Sequence, residues 1–168
     1  MNLRRFLAIF KNNLENVLFK ENIVFGKYDG DVGYSEWTLM MNVIIYNTVK
    51  KYNKIYKEKL KISPEYGGKS PSDFCILNNK KEIELYIEHE NSPDRLWYNL
   101  RKIFSSKIKA KERLLICYER PKDIEKTISK LKKQKPRFKV YVWIAPWNIQ
   151  RMSEYKNIII KSYIKNDK

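Results

Sequence analysis

Apolar residues recur at helical spacing from the start of the chain. Leu3, Phe6, Leu7, Phe10, Leu14, Val17 and Leu18 share one side of a 3.6-residue repeat and predict an amphipathic helix over about 2–19. Residues 21–35 carry Gly26, Gly30 and Gly33 and read as strand or loop. Ser35 is the expected N-cap of a second helix from 36 to about 60, with Met40, Val43, Ile44, Tyr46, Val49, Tyr52, Ile55, Tyr56 and Leu60 as its apolar positions. Pro64, Gly67, Gly68 and Pro71 mark a turn. A short apolar strand at 72–77, a turn at 78–81 and a strand at 82–90 follow. Pro93 sits near the first turn of a third helix that runs to about 107. Residues 114–118 are uninterruptedly apolar, the pattern of a strand buried on both faces. A basic helix at 121–135, a strand at 138–147 and a last strand at 157–164 complete the chain. This alternation predicts an α/β fold, a mixed central sheet with helices on both faces, in a single domain over 1–168.

The segment 73–90 carries the chemistry. Residues two apart on a strand share a face, so Glu82, Glu84, Tyr86, Glu88 and Glu90 point one way and Ile83, Leu85, Ile87 and His89 the other. A two-residue turn at Asn79-Lys80 pairs Ile76 with Ile83, Phe74 with Leu85 and Asp73 with Tyr86; a longer loop with a bulge would reach the same parity. Apolar residues then meet on one face, and Asp73 falls on the face of Glu88 and Glu90. A slip of one residue would set apolar against charged. Three neighbouring carboxylates repel one another unless a divalent cation neutralises them. The competing reading is a solvent-facing stripe of glutamates, which is the expectation for Glu82 and Glu84 beside the turn. His89, the sole histidine, is expected to pack on the apolar face.

Charge and composition narrow the partner. The formal net charge is +16, unevenly spread: residues 1–84 hold 14 basic and 10 acidic side chains, residues 85–168 hold 21 and 9. Such a cationic surface attracts polyanions, nucleic acid first; a lysine-rich solubilising face is the alternative. With 43% hydrophobic residues the chain is no disordered basic tail. Cys75 and Cys117 lie in apolar runs and read as buried thiols of a reducing compartment. Two Cys and one His cannot make an ordinary zinc site, so any metal here would be a hard cation held by oxygens. No apolar run nears the roughly 20 residues of a membrane span, and the stretch 6–10 is too short for a secretory leader. The expectation is a cytoplasmic protein with no membrane partner.

Pro71-x-Asp73, fourteen intervening residues and Glu88-x-Glu90 on a strand that ends a hairpin resemble the PD-(D/E)xK, restriction-endonuclease-like nuclease superfamily. The element order from about 36 to 147 resembles that core as well, with the first helix and the last strand as extensions. The resemblance implies a metal-dependent endonuclease acting on nucleic acid, DNA first, with Mg²⁺ or Mn²⁺ held by Asp73 and Glu88. Glu90 stands where the family has lysine. It would serve a second ion or orient water, or else mark a catalytically inactive nucleic-acid-binding relative. Arg95, Arg101 or Lys102 on the next helix would supply the missing positive charge. Glu36 matches a metal-approaching glutamate of the family's first core helix, and an acidic helix N-terminus explains it equally. Arg95, Arg101 and Lys102, with Lys126, Lys130 and Lys133, are the expected contacts to the nucleic-acid backbone. The resemblance also permits a homodimer. Trp97, Trp143 and Trp147 would either stack on bases or pack inside.

Overall fold

The computed structural model describes residues 1–20, 34–66, 72–90, 95–105, 108–119, 123–134, 139–146 and 156–160. In chain order they form α1 (Leu3–Lys20), α2 (Tyr34–Tyr56), β1 (Lys61–Tyr66), β2 (Ser72–Leu77), β3 (Ile83–Glu90), α3 (Leu96–Ile103), β4 (Ala110–Glu119), α4 (Ile124–Lys132), β5 (Val140–Pro146) and β6 (Lys156–Ile160). The strands make one mixed sheet in the order β1-β2-β3-β4-β5-β6. β3, β4 and β5 run parallel; β2 and β6 pair antiparallel with β3 and β5 on the two sides, and β1 pairs antiparallel with β2 at the edge. The expected α/β class, a mixed sheet with helices on both faces, is what forms.

Alternation along the strands divides the core in two. Phe74, Ile76, Leu85, Ile87, Leu114, Ile116, Tyr141 and Trp143 face α1 and α2. Cys75, Tyr86, Leu115, Cys117, Val142 and Ile144 face α3 and α4. The two crossover helices lie on one face because successive parallel connections of the same hand step in one direction. β4 is buried on both sides, as its apolar run predicts. On the first face Phe6 stacks beside Phe10 with centroids 6.5 Å apart, and Phe10 meets Trp143 edge-on at 4.7 Å. Thr48 joins the two helices there: its hydroxyl donates to the Ile44 carbonyl at 2.7 Å and accepts from Asn13 Nδ2 at 3.0 Å.

Several boundaries depart from the sequence expectation. α2 begins before Ser35, which therefore lies inside the helix instead of capping it. Its buried side is Met41, Ile44, Ile45, Val49 and Tyr52, while Val43, Tyr46 and Ile55 are about half exposed. The helix stops at Tyr56 because Lys57 adopts φ 53. Asn53 then binds both the N–H and the carbonyl of Leu60 at 2.9 Å, which directs the chain into the sheet. Residues 61–66 form a strand, which takes in the start of the turn expected over 64–71, and Pro64 pairs with Phe74. Only edge positions tolerate proline in a sheet, and β1 is an edge. The expected turn residues Gly67, Gly68 and Pro71 lie outside the described residues, as do 21–33. α3 and α4 are each shorter than their expected spans.

The β2–β3 register is offset by two residues from the expected one. Ile76 pairs with Leu85, Cys75 with Tyr86 and Phe74 with Ile87, with a bulge at Ile76/Leu77. The connection is longer than two residues because Asn78 organises it. Its Oδ1 accepts from the N–H groups of Lys80 at 2.9 Å and Glu82 at 3.0 Å, and Lys81 sits at φ 60. An even offset keeps every side chain on its expected face. Glu84 does not belong to a solvent-facing stripe: it is 5% exposed, and Lys111, Asn78 and the Met1 ammonium bind its carboxylate. Glu82 is exposed, as expected.

Phe10→Ala should cost about 3–5 kcal/mol, since it empties the centre of the aromatic layer; urea unfolding reads it. Burial works to raise the Glu84 pKa, yet the bonds from Lys111, the N-terminal ammonium and Asn78 outweigh it and the net shift is downward. The stabilisation from this ionised carboxylate is therefore complete above the unfolded value of 4.5 and is lost as pH falls through the lower folded value. Glu84→Gln should cost about 1–3 kcal/mol at pH 7. In melts along an acid series the gap to the wild type should close below the unfolded value.

Candidate functional site

β2, β3 and α3 build the site. Continuing the β2–β3 register by one pair sets Asp73 opposite Glu88. Asp73 Oδ2 accepts the His89 backbone N–H at 2.6 Å, so one carboxylate oxygen is fixed against β3. Glu88 is fully buried and Glu90 is 6% exposed, both on the face that meets α3. Two buried carboxylates on a central strand require donors, and α3 supplies them one turn apart. Lys102 Nζ lies 2.8 Å from Glu88 Oε2, and Asn99 Nδ2 donates to Glu90 Oε2 at 2.7 Å. The Tyr86 hydroxyl donates to the other oxygen of Glu88. Beside Tyr86 on β4, Arg113 is 2% exposed and donates to the Ile108 carbonyl.

The electrostatics follow from this burial. Desolvation pushes the Glu88 carboxyl up to about 7, against the bonds from Lys102 and Tyr86 that favour its charged form; the charge of Asp73 pushes it the same way as burial. Burial, together with the Glu88 carboxylate it bonds, drives the Tyr86 phenol far above its ordinary value, so Tyr86 stays a proton donor. Burial lowers the His89 imidazole to about 3, so it is neutral. His89 lies on the strand face opposite Glu88, as expected, and its main-chain N–H bonds Asp73.

The structure thus brings Asp73 and Glu88 together and places Glu90 one step along the same face, tied to Asn99. Among the described residues no three His, Cys, Asp or Glu side chains gather closely enough to hold a metal, so the expected three-carboxylate cluster does not form among them. Glu36 lies on α2 with its side chain outside the described residues, and Val43, whose face it was expected to share, is 49% exposed. Of the three expected cations on the third helix, Lys102 turns inward to Glu88, while Arg95 and Arg101 are exposed. Lys126, Lys130 and Lys133 are exposed on or just after α4. Trp143 is buried and so not free to stack, Trp97 packs partly into the second core, and Trp147 lies outside the described residues. Cys75 and Cys117 are buried free thiols, as expected.

Sequence reasoning missed the roles of Tyr86 and Asn99. The signal was present. Residues three apart on a helix rise about 4.5 Å, and residues two apart on a strand span about 6.7 Å. Asn99 and Lys102 can therefore address Glu90 and Glu88 at once.

A cavity of about 690 Å³ lies elsewhere, between the start of α1, the end of α2 and the starts of β4 and β5. Two of its rings are covered by cations, Tyr56 by Arg5 at 5.0 Å and Tyr141 by Lys139 at 4.6 Å. It contains none of Asp73, Glu88, Glu90 and Lys102. Among the described residues no helix is long and apolar enough to cross a membrane. No protein-family model and no curated protein matches the chain.

Lys102→Met should destabilise the fold by about 1–3 kcal/mol, because it leaves a buried carboxylate without its cation. Glu88→Gln should recover part of that loss in the Lys102→Met background. A double-mutant cycle in urea should return a coupling of about 1–3 kcal/mol.

Proposed function

We propose that the chain is a metal-dependent nuclease of the PD-(D/E)xK type, hydrolysing phosphodiester bonds in nucleic acid, DNA first. The observation that carries this reading is Asp73 set opposite Glu88 across β2 and β3, with the Lys102 ammonium 2.8 Å from Glu88. Only two carboxylates, Asp73 and Glu88, adjoin among the described residues, so a bound ion would take its other ligands from water and substrate oxygens, as Mg²⁺ and Mn²⁺ commonly do. Burial and mutual repulsion make the charged form of Glu88 costly beside Asp73, and a bound divalent ion relieves both. Such an ion supplies an activated water and neutralises charge on the phosphate.

The chain's own residues do the rest. Glu90 stands at the family's lysine position, and Lys102 brings an ammonium to the same carboxylates from the next helix. Its charge opposes the negative charge that builds on a phosphate undergoing attack. Tyr86 and the His89 N–H fix the orientations of Glu88 and Asp73. Arg95 and Arg101 on α3, with Lys126, Lys130 and Lys133 near α4, hold the backbone of the strand by charge. Buried free thiols suit a reducing compartment such as the cytoplasm.

One observation favours a second reading, an inactive nucleic-acid-binding protein with the same core. Lys102 and Asn99 already partner Glu88 and Glu90. The two readings differ in what a divalent cation does. The nuclease reading expects cleavage of circular or linear DNA with Mg²⁺ or Mn²⁺, abolished by chelation and by the Asp73→Ala, Glu88→Ala double variant. Equal cleavage by that variant and the wild type would reject the assignment. Salt-sensitive binding with no cleavage and no cation uptake in calorimetry would establish the inactive relative.

A further inference from the structure

The inner side of α3 is fully committed. Leu96, Leu100 and Ile103 enter the core, and Asn99 and Lys102 hold Glu90 and Glu88. Its outer side carries Tyr98 and Arg101, with Arg95 at the N-cap; spaced by three, each neighbours the next, and the row winds around the helix by about 60° per step. Tyr98 is 63% exposed, the most exposed of the large hydrophobic residues among those described. Tyr98 presents its ring to solvent, and the exposed residues Arg95 and Arg101 stand three positions before and after it. An aromatic ring flanked by cations is the element that single strands use, with bases stacked on the ring and phosphates paired to the cations. Bases within a duplex have both faces covered by their neighbours and cannot stack on a side chain without being pulled from the helix.

We propose that Tyr98 is a stacking platform for one base of an unpaired strand, with Arg95 and Arg101 on the flanking phosphates, so that the protein takes single-stranded nucleic acid in preference to duplex. This rests on the nucleic-acid reading of the Asp73–Glu88 site. Charge complementarity selects the occupant, and α3 itself joins it to the site: Tyr98 and Arg101 lie on the outer side of the helix whose inner side, through Asn99 and Lys102, holds Glu90 and Glu88. Either sugar would be accepted by this contact, since stacking and phosphate pairing are common to DNA and RNA.

The test is fluorescence anisotropy of the full chain in EDTA, where cleavage plays no part. The probes are oligodeoxythymidylate and oligouridylate of about 12 nucleotides and a duplex of matched length. Tighter binding of a single strand than of the duplex is expected. Tyr98→Ala should weaken single-strand binding by about 5- to 100-fold, while Tyr98→Phe stays within about twofold of the wild type. Duplex binding should change by less than about twofold in both variants. Tyr46→Ala, which removes another exposed tyrosine on the opposite side of the sheet, should behave as wild type. A loss on either the DNA or the RNA strand supports the proposal and identifies the sugar. Unchanged binding by Tyr98→Ala, an equal loss with Tyr46→Ala, a preference for duplex, or a change of oligomeric state alone overturns it. Cleavage in Mn²⁺ that ignores Tyr98→Ala leaves the nuclease reading standing and removes this one. A protein that never cleaves yet shows the Tyr98 effect does the reverse.

Discussion

The central constraint is a charge problem in the middle of the sheet. β3 lies between β2 and β4 and is covered on both faces, yet one of those faces carries Glu84, Glu88 and Glu90. Carboxylates cannot be enclosed without donors. The fold answers separately at each end of the strand. Lys111 and Asn78 reach Glu84 near the hairpin, and α3 reaches the other two. The position and rotation of α3 are thereby set by polar contacts as well as by Leu96, Leu100 and Ile103. Removing charge from β3 would free that helix to slide on an otherwise greasy surface.

The same constraint acts differently at the two ends of the strand. At the hairpin end, the partners push the Glu84 pKa down despite burial. At the α3 end burial wins, and Glu88 is raised to about 7 beside a second carboxylate. One end of the strand is electrostatically settled and the other is left strained toward protonation or toward a further positive charge. Strain of this kind concentrates where chemistry is done, which is why the functional reading belongs to the Glu88 end.

The sequence revealed the faces better than the lengths. Strict alternation in 83–90 and continuous apolar character in 114–118 are decided by burial, so they could be read directly. Helix ends were less legible because they depend on backbone detail. Lys57 adopts a left-handed conformation that no composition rule assigns to lysine. The β1 strand was hidden by its proline, which usually signals a turn and here signals an edge. The register was mistaken by two because a short turn was assumed, and only the Asn78 side chain reveals the longer one. Parity survived that error, so Asp73 still reached the carboxylate face and met Glu88 in place of Tyr86. Choosing Lys102 from the three expected cations, and finding Asn99 at all, required matching a helix repeat to a strand repeat across a connection, which a single-element reading does not attempt.

Pro64 has a bearing on how copies of this chain can meet. A ring nitrogen without hydrogen interrupts the row of donors along the outer rim of β1, so a neighbouring molecule cannot zip onto that rim through continuous main-chain bonding. A single imino acid thereby disfavours fibre-like growth of the sheet on that flank.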